Sequence, residues 1–378
     1  MMTRPRSIID REMKQEAPLI QASRLAGGRI PSLDGLRAIA IAGVIFTHAM
    51  AKTNYSRYWI PYITGVAGTL GVQIFFGISG FLITILLFRE RMRTGSISIR
   101  GFYLRRILRI IPAYVGYLAA IAGLAMAGLL NIRWQEWAYV LTYTTNWAYK
   151  DVQWVLGHTW TLSLEEQFYL FWPSLFLWIS GRQLRRLLVG YLVAAPLFRL
   201  AAKIAFPDYF LLRYTSAPAC MDSMAVGCLL AMAVFHGIHA KGWLERLRKA
   251  PNLTFLASAI VLCSSLVAGL IAPPYMLLIG RTIDALAIGS LIWAAVNLQH
   301  GMLFRMLNSK PFAAVGILSY SLYLWQQLFL FPNCTWLVCR PPWSILLAMV
   351  AAIASYFIIE MPFLRLKDRL GSRRHGST

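Results

Sequence analysis

The sequence predicts an all-α, polytopic transmembrane helical bundle of about ten spans, with the N- and C-termini cytoplasmic. Three observations carry that reading. Hydrophobic residues make up 58% of the chain and charged residues 14%, with a mean hydropathy of +0.57, where a soluble domain carries roughly a quarter charged residues. The apolar residues fall in runs of about 18–23, each long enough to cross a hydrocarbon core of roughly 30 Å as a helix. Runs so long and solidly apolar exclude a β-barrel, the other structure that satisfies its backbone in lipid. Finally, the basic residues alternate between the ends of these runs.

In order, the spans are expected at 33–51, 66–88, 108–130, 160–180, 187–206, 217–235, 252–272, 276–298, 312–332 and 342–360. The aromatic stretch Trp137–Trp147 is too short to span and reads as re-entrant or interfacial. Residues 1–30 form a basic cytoplasmic tail, expected to be disordered and without a signal peptide. Residues 31–364 make the membrane domain, and 365–378 a second basic tail.

The formal net charge of +22 follows from this topology and does not call for nucleic acid. The segments assigned to the inner face hold 27 of the 37 lysines and arginines, seven of them between Arg89 and Arg109. Six lie in outer loops: Lys52, Arg57, Arg133, Lys150, Arg213 and Arg340. Such positive-inside bias sets the orientation, and an even number of spans agrees with it. Cys220, Cys228 and Cys263 sit in spans and read as packing residues. Cys334 and Cys339 share the last outer loop, where a bridge is open. No metal-ligand spacing, phosphate loop or nucleophile elbow is present.

Ionisable residues inside spans are costly and mark functional sites by default. Asp34 and Arg37 share a face of the first helix, and His48 lies eleven residues beyond Arg37. That is about three turns and roughly 16 Å, returning to within about 20° of the same direction. His48 reads either as a packing histidine or as a functional one, and Arg37 either as a snorkelling cation or as a ligand-binding one. Glu165 and Glu166, in Trp160–Tyr169, either cap a helix N-terminus, or one of them orients a histidine or binds substrate; Glu165 is expected at the depth of His48. Arg106 and Arg109 share a face where the third span begins. They read as membrane anchors or, with free helix N–H groups, as a phosphate site. Gly77, Ser79 and Gly80 most simply permit close helix packing.

Taken together these segments resemble acyltransferase family 3, the membrane-integral O-acyltransferases. The resemblance rests on Ser32–Arg37 followed by His48, on Gly71–Leu82, on Arg106-x-x-Arg109-x-x-Pro112, on Trp160–Tyr169, on Ser319–Trp325 and on Glu360-Met361-Pro362, in that order. It implies acyl transfer from a cytoplasmic acyl-CoA to a hydroxyl of a carbohydrate or lipid-linked glycan. It also implies a catalytic role for His48 and donor binding by the Arg106/Arg109 pair. Three positions depart from the family's pattern: Gln326 where many members carry histidine, Met361 where arginine is usual, and Cys220 where arginine is frequent.

The resulting expectation is an O-acyltransferase, taken as an acetyltransferase, in the bacterial cytoplasmic (inner) membrane. His48 is the general base and Glu165 its orienter; Arg37, Arg106 and Arg109 bind the donor. Asp34, Ser79, Glu166, Tyr169, Tyr320 and Glu360 support them. Acyl-CoA, acetyl-CoA in the first instance, is a co-substrate, and no bound cofactor or metal is called for. The partners are membrane lipid, the donor and the glycan acceptor. The rival classes are a glycan or proton-coupled transporter, which paired broken helices would favour, and a non-catalytic member of the same family.

Overall fold

The computed structural model describes residues 30–50, 59–235, 242–272, 275–332 and 337–373. Both predicted tails, Lys52, Arg57 and Cys334 lie outside the described residues, apart from Arg365–Arg373, which are helical. The described chain has no β-strand, and each of the ten predicted segments overlaps a helix. These are α1 (Pro31–Met50), α2 (Trp59–Thr94), α3 (Ile99–Met126), α4 (Thr159–Trp178), α5 (Gly181–Ala205), α6 (Asp222–Phe235), α7 (Pro251–Ile271), α8 (Arg281–Asn297), α9 (Lys310–Phe329) and α10 (Trp343–Ser355). A π-helical turn, Tyr356–Glu360, joins α10 to a last helix, Met361–Arg373.

Among the described residues, seven helices are long and apolar enough to cross a membrane by length and composition. The other three predicted spans, α4, α6 and α9, are not among them, because α6 has only 14 residues and the other two carry more polar side chains. The stretch read as re-entrant forms a helix at Trp134–Leu141 and a single turn at Thr145–Trp147, with a further turn at Trp154–Gly157. Tyr114 and Tyr117 of α3 tie it down by donating to the carbonyls of Val140 and Val155 at 2.9 and 2.5 Å. Buried Glu136 accepts from the backbone N–H of Gln153 at 2.7 Å.

The centre of the bundle is built on backbone contact. α2 packs most extensively on α1 and α6, and α9 packs on α1. A Cβ added at Gly80 would strike the carbonyl of Met224 in α6, and one at Gly316 of α9 would strike that of Asp34. Close crossings of this kind supply van der Waals contact where lipid offers no hydrophobic drive between helices. They also bring the polar face of α9 directly against α1.

A buried ion pair joins α5 to α6. Arg199 and Asp222 are 0% and 2% exposed, and their Nη1–Oδ2 distance is 2.9 Å. Arg199 also donates to the carbonyls of Ala219 and Leu278 and to Thr282. Leu278 lies in a π-helical turn, Met276–Gly280, that leads into α8; such turns disturb the regular ladder and leave carbonyls available. Cys220 and Cys228 are buried and free, Cys263 is free but exposed, and Cys339 is disulfide-bonded.

Candidate active site

Two polar centres lie along α1, as the eleven-residue spacing of Arg37 and His48 requires. The first is built around His48, near the end of α1. Its partners come from α9: Gln326, fully buried, and Gln327, 4% exposed. Hydrogen-bonding capacity settles how the network runs. Gln327 Oε1 accepts from the backbone N–H of His158 at 3.2 Å and from its Nδ1 at 2.9 Å. A backbone N–H only donates, so Gln327 turns its oxygen to His158 and its amide NH₂ to His48 Nε2, at 3.3 Å. That ring nitrogen therefore accepts, and the imidazole proton resides on Nδ1, which donates to Gln326 Oε1 at 2.9 Å. The edge-on indole of Trp154, with ring centroids 5.3 Å apart, packs against the ring.

His158 is 2% exposed between the rings of Tyr117 and Tyr323. The hydroxyls of Tyr323 and Thr161 bond each other at 2.6 Å, and the one that accepts in that bond donates on to the His158 carbonyl. The histidine pair is thus held by α1, α9 and the start of α4.

The second centre collects the other expected residues. Arg37 pairs loosely with Asp34 at 3.8 Å. Arg106 lies 5.2 Å from the centroid of Tyr169 and 5.7 Å from that of Phe102, a cation–π geometry. Glu165 accepts from Ser79 at 2.8 Å, and Tyr169 donates to Ser79 at 3.2 Å. Arg37, Arg106 and Arg109 all act electrostatically on Glu165, while Glu166 faces Arg106. Arg37, Arg106 and Arg109 thus meet Asp34, Glu165 and Glu166 in one cluster of mixed charge, whose guanidinium forks have the geometry to bind phosphate oxygens.

The expected Glu165–His48 pairing is therefore corrected: Glu165 belongs to the arginine centre, and amides replace it at His48. The reason is depth. His48 stands two residues from the end of α1, whereas Glu165 stands six residues, about 9 Å, into α4. Tyr320 and Glu360 border the arginine centre, since Ile110 follows Arg109 and Arg109 acts electrostatically on Glu360. Tyr320 donates to the carbonyl of Ile110 at 2.9 Å, and Glu360 accepts from Ser321; both fasten α9 to its neighbours. Gln327, His158 and Arg199 were missed. The signal for Arg199 was present, as a lone arginine within an apolar run. No group of three or more metal-ligating side chains occurs among the described residues.

Comparison with known proteins follows the same lines. A family model described as an acyltransferase domain matches residues 30–361. The O-acetyltransferase OatA of Staphylococcus aureus (strain NCTC 8325 / PS 47) is 27% identical over 357 residues, covering 88% of this chain and 57% of its own length. SACOL0978 of S. aureus strain COL is 35% identical over 176 residues, covering 43% of this chain and 27% of its own length. The chain thus spans little more than half the length of the OatA proteins it matches. No solved structure matches it.

Proposed function

The chain belongs to the acyltransferase domain family, and from that premise we propose that it is a membrane O-acetyltransferase acting on a hydroxyl of a carbohydrate or lipid-linked glycan. The observation that carries this reading is the tautomer of His48, whose Nε2 keeps its lone pair facing an amide while Nδ1 is held by Gln326. An imidazole presented in this way is a general base in waiting.

Direct transfer balances as follows. The acceptor hydroxyl gives its proton to His48 Nε2 as its oxygen attacks the thioester carbonyl carbon. The C–S bond then breaks, and the departing thiolate takes the proton back from the imidazolium. The products are an O-acyl ester and a free thiol. Acyl-CoA is the donor this arrangement suits: the arginine centre grips its phosphates while its long arm spans the roughly 16 Å to His48. Positive-inside bias assigns the arginine centre to the cytoplasmic half and His48 to the outer half. Glycan hydroxyls would meet the acyl group there.

The test is acetyl transfer from labelled acetyl-CoA by the full chain purified into lipid nanodiscs, with a surface-glycan extract as acceptor. His48→Ala should lower turnover by on the order of 10²–10⁴, the usual worth of a general base, with yield and thermal unfolding unchanged. Near-normal turnover in that variant would remove His48 from the reaction.

A further inference from the structure

Beside the histidine centre lies a cavity of about 180 Å³ that the transfer chemistry does not use. It is smaller than the roughly 300–1,000 Å³ typical of drug-sized ligands, which suits one sugar ring. Trp160, Tyr149 and Tyr214 supply aromatic walls. The rings of Trp160 and Tyr149 meet edge to face, with centroids 6.1 Å apart, and Tyr149 rests against Gly157. Polar groups face the same space. Gln73 and Ser223 are 7% and 1% exposed, and their mutual hydrogen bond at 3.4 Å is long, so each keeps capacity for a ligand hydroxyl. Flat rings with a few convergent polar groups match a pyranose, which has apolar C–H faces and a polar rim.

The charges narrow the class of sugar. Asp222 lines the cavity, but its carboxylate is already committed to Arg199 at 2.9 Å and Thr282 at 2.6 Å. Arg281 lines it too. Its guanidinium lies 5.5 Å from the centroid of Tyr214 and donates to that residue's carbonyl at 3.3 Å. Among the described residues Arg281 makes no ion pair, and Asp284, three residues on, bonds Ser265 of α7 instead. The wall therefore presents a guanidinium held by a ring and a carbonyl rather than by an ion pair, with Asp284 acting on it only at longer range.

Position completes the argument. Trp160 lies two residues beyond His158, and Thr69, another lining residue, follows Gly68, which packs on Thr47 next to His48. His48, Gln326 and Gln327 are not among the lining residues. The cavity is thus a neighbour of the reacting centre and separate from it. The geometry points to a subsite for a carboxylate-bearing sugar unit of the acceptor glycan, next to the unit that is acylated. This inference rests on the glycan acyltransferase reading, but its test does not depend on turnover.

The experiment is saturation-transfer NMR on the full chain in nanodiscs, with glucuronic acid and glucose as probes. Glucuronic acid should receive saturation at its ring protons and bind at least several-fold more tightly than glucose. Arg281→Gln should cut that affinity about tenfold, to the level of glucose, whereas Arg281→Lys should keep the preference. Trp160→Ala should abolish transfer to both sugars, and His48→Ala should bind both normally. Thermal unfolding of each variant identifies any that fails to fold, and Arg281→Lys then carries the charge test. Equal binding of the two sugars, with Arg281→Gln silent, would overturn the anionic assignment. Unchanged binding in folded Trp160→Ala, or no saturation transfer in wild type, would overturn the subsite. Loss of acyl transfer with these binding results intact would count against the enzyme reading alone.

Discussion

Gln326 Oε1 accepts the Nδ1 proton of His48 at 2.9 Å, so a neutral amide performs the orienting task often given to a carboxylate. Gln326→Leu should therefore lower the turnover number by about 10–10², part of the full 10²–10⁴ that a general base contributes. The KM for the donor should stay unchanged. Gln326→Glu keeps an acceptor at that position and should hold activity within a few-fold of wild type. Steady-state kinetics with varied donor concentration checks both. Equal losses in the two variants would show that the hydrogen bond is not what matters.

Glu165 anchors the arginine centre through Ser79. Glu165→Ala should raise the donor KM several-fold by releasing the guanidinium groups, and Ser79→Ala should do the same more weakly. Neither should alter the acceptor KM. A fall in turnover with an unchanged donor KM would return Glu165 to the histidine.

Arg106 stacks over Tyr169, whereas Arg109 is exposed on the same helix. Lysine keeps the charge but loses the planar fork and the stacking. Arg106→Lys should weaken donor binding more than Arg109→Lys, by roughly 1 kcal/mol or about fivefold. Isothermal titration with acetyl-CoA measures the difference directly.

Removing one member of the buried Arg199–Asp222 pair leaves the other charged and unpartnered. Arg199→Met should destabilise the fold by about 3–5 kcal/mol, whereas replacing both residues with apolar ones should cost markedly less. Thermal unfolding in detergent compares the two. If the double variant is no better than the single, the other bonds of Arg199 dominate.

The helical scaffold was legible because its signal is long and redundant: twenty apolar residues tolerate many local errors, and every predicted span overlaps a helix. Span counting was less secure, since α6 is short and α4 and α9 carry the polar residues of the two centres. Within the candidate site, Asp34, Arg37 and His48 could be placed on one face from helical period alone. The partner of His48 could not. It depends on the relative heights of α1, α4 and α9, which hydropathy does not fix closely enough to choose between a carboxylate and an amide. Gln326 stood out as a departure from the family pattern before its contact was visible. His158 gave no such sign, because a histidine between Gly157 and Thr159 lies in no periodic run.

Both centres take their separation from one unbroken stretch of α1, which makes that helix a ruler with no slack. Deleting or inserting one residue between Ala38 and Thr47 would shift His48 by only about 1.5 Å, yet swing it about 100° away from Gln326 and Gln327. Substitutions along this stretch change surfaces, but a change in its length would put the two polar centres out of register. The interval between Arg37 and His48 is therefore fixed by helical rise, and under the proposed mechanism it limits how far this stretch can vary in length.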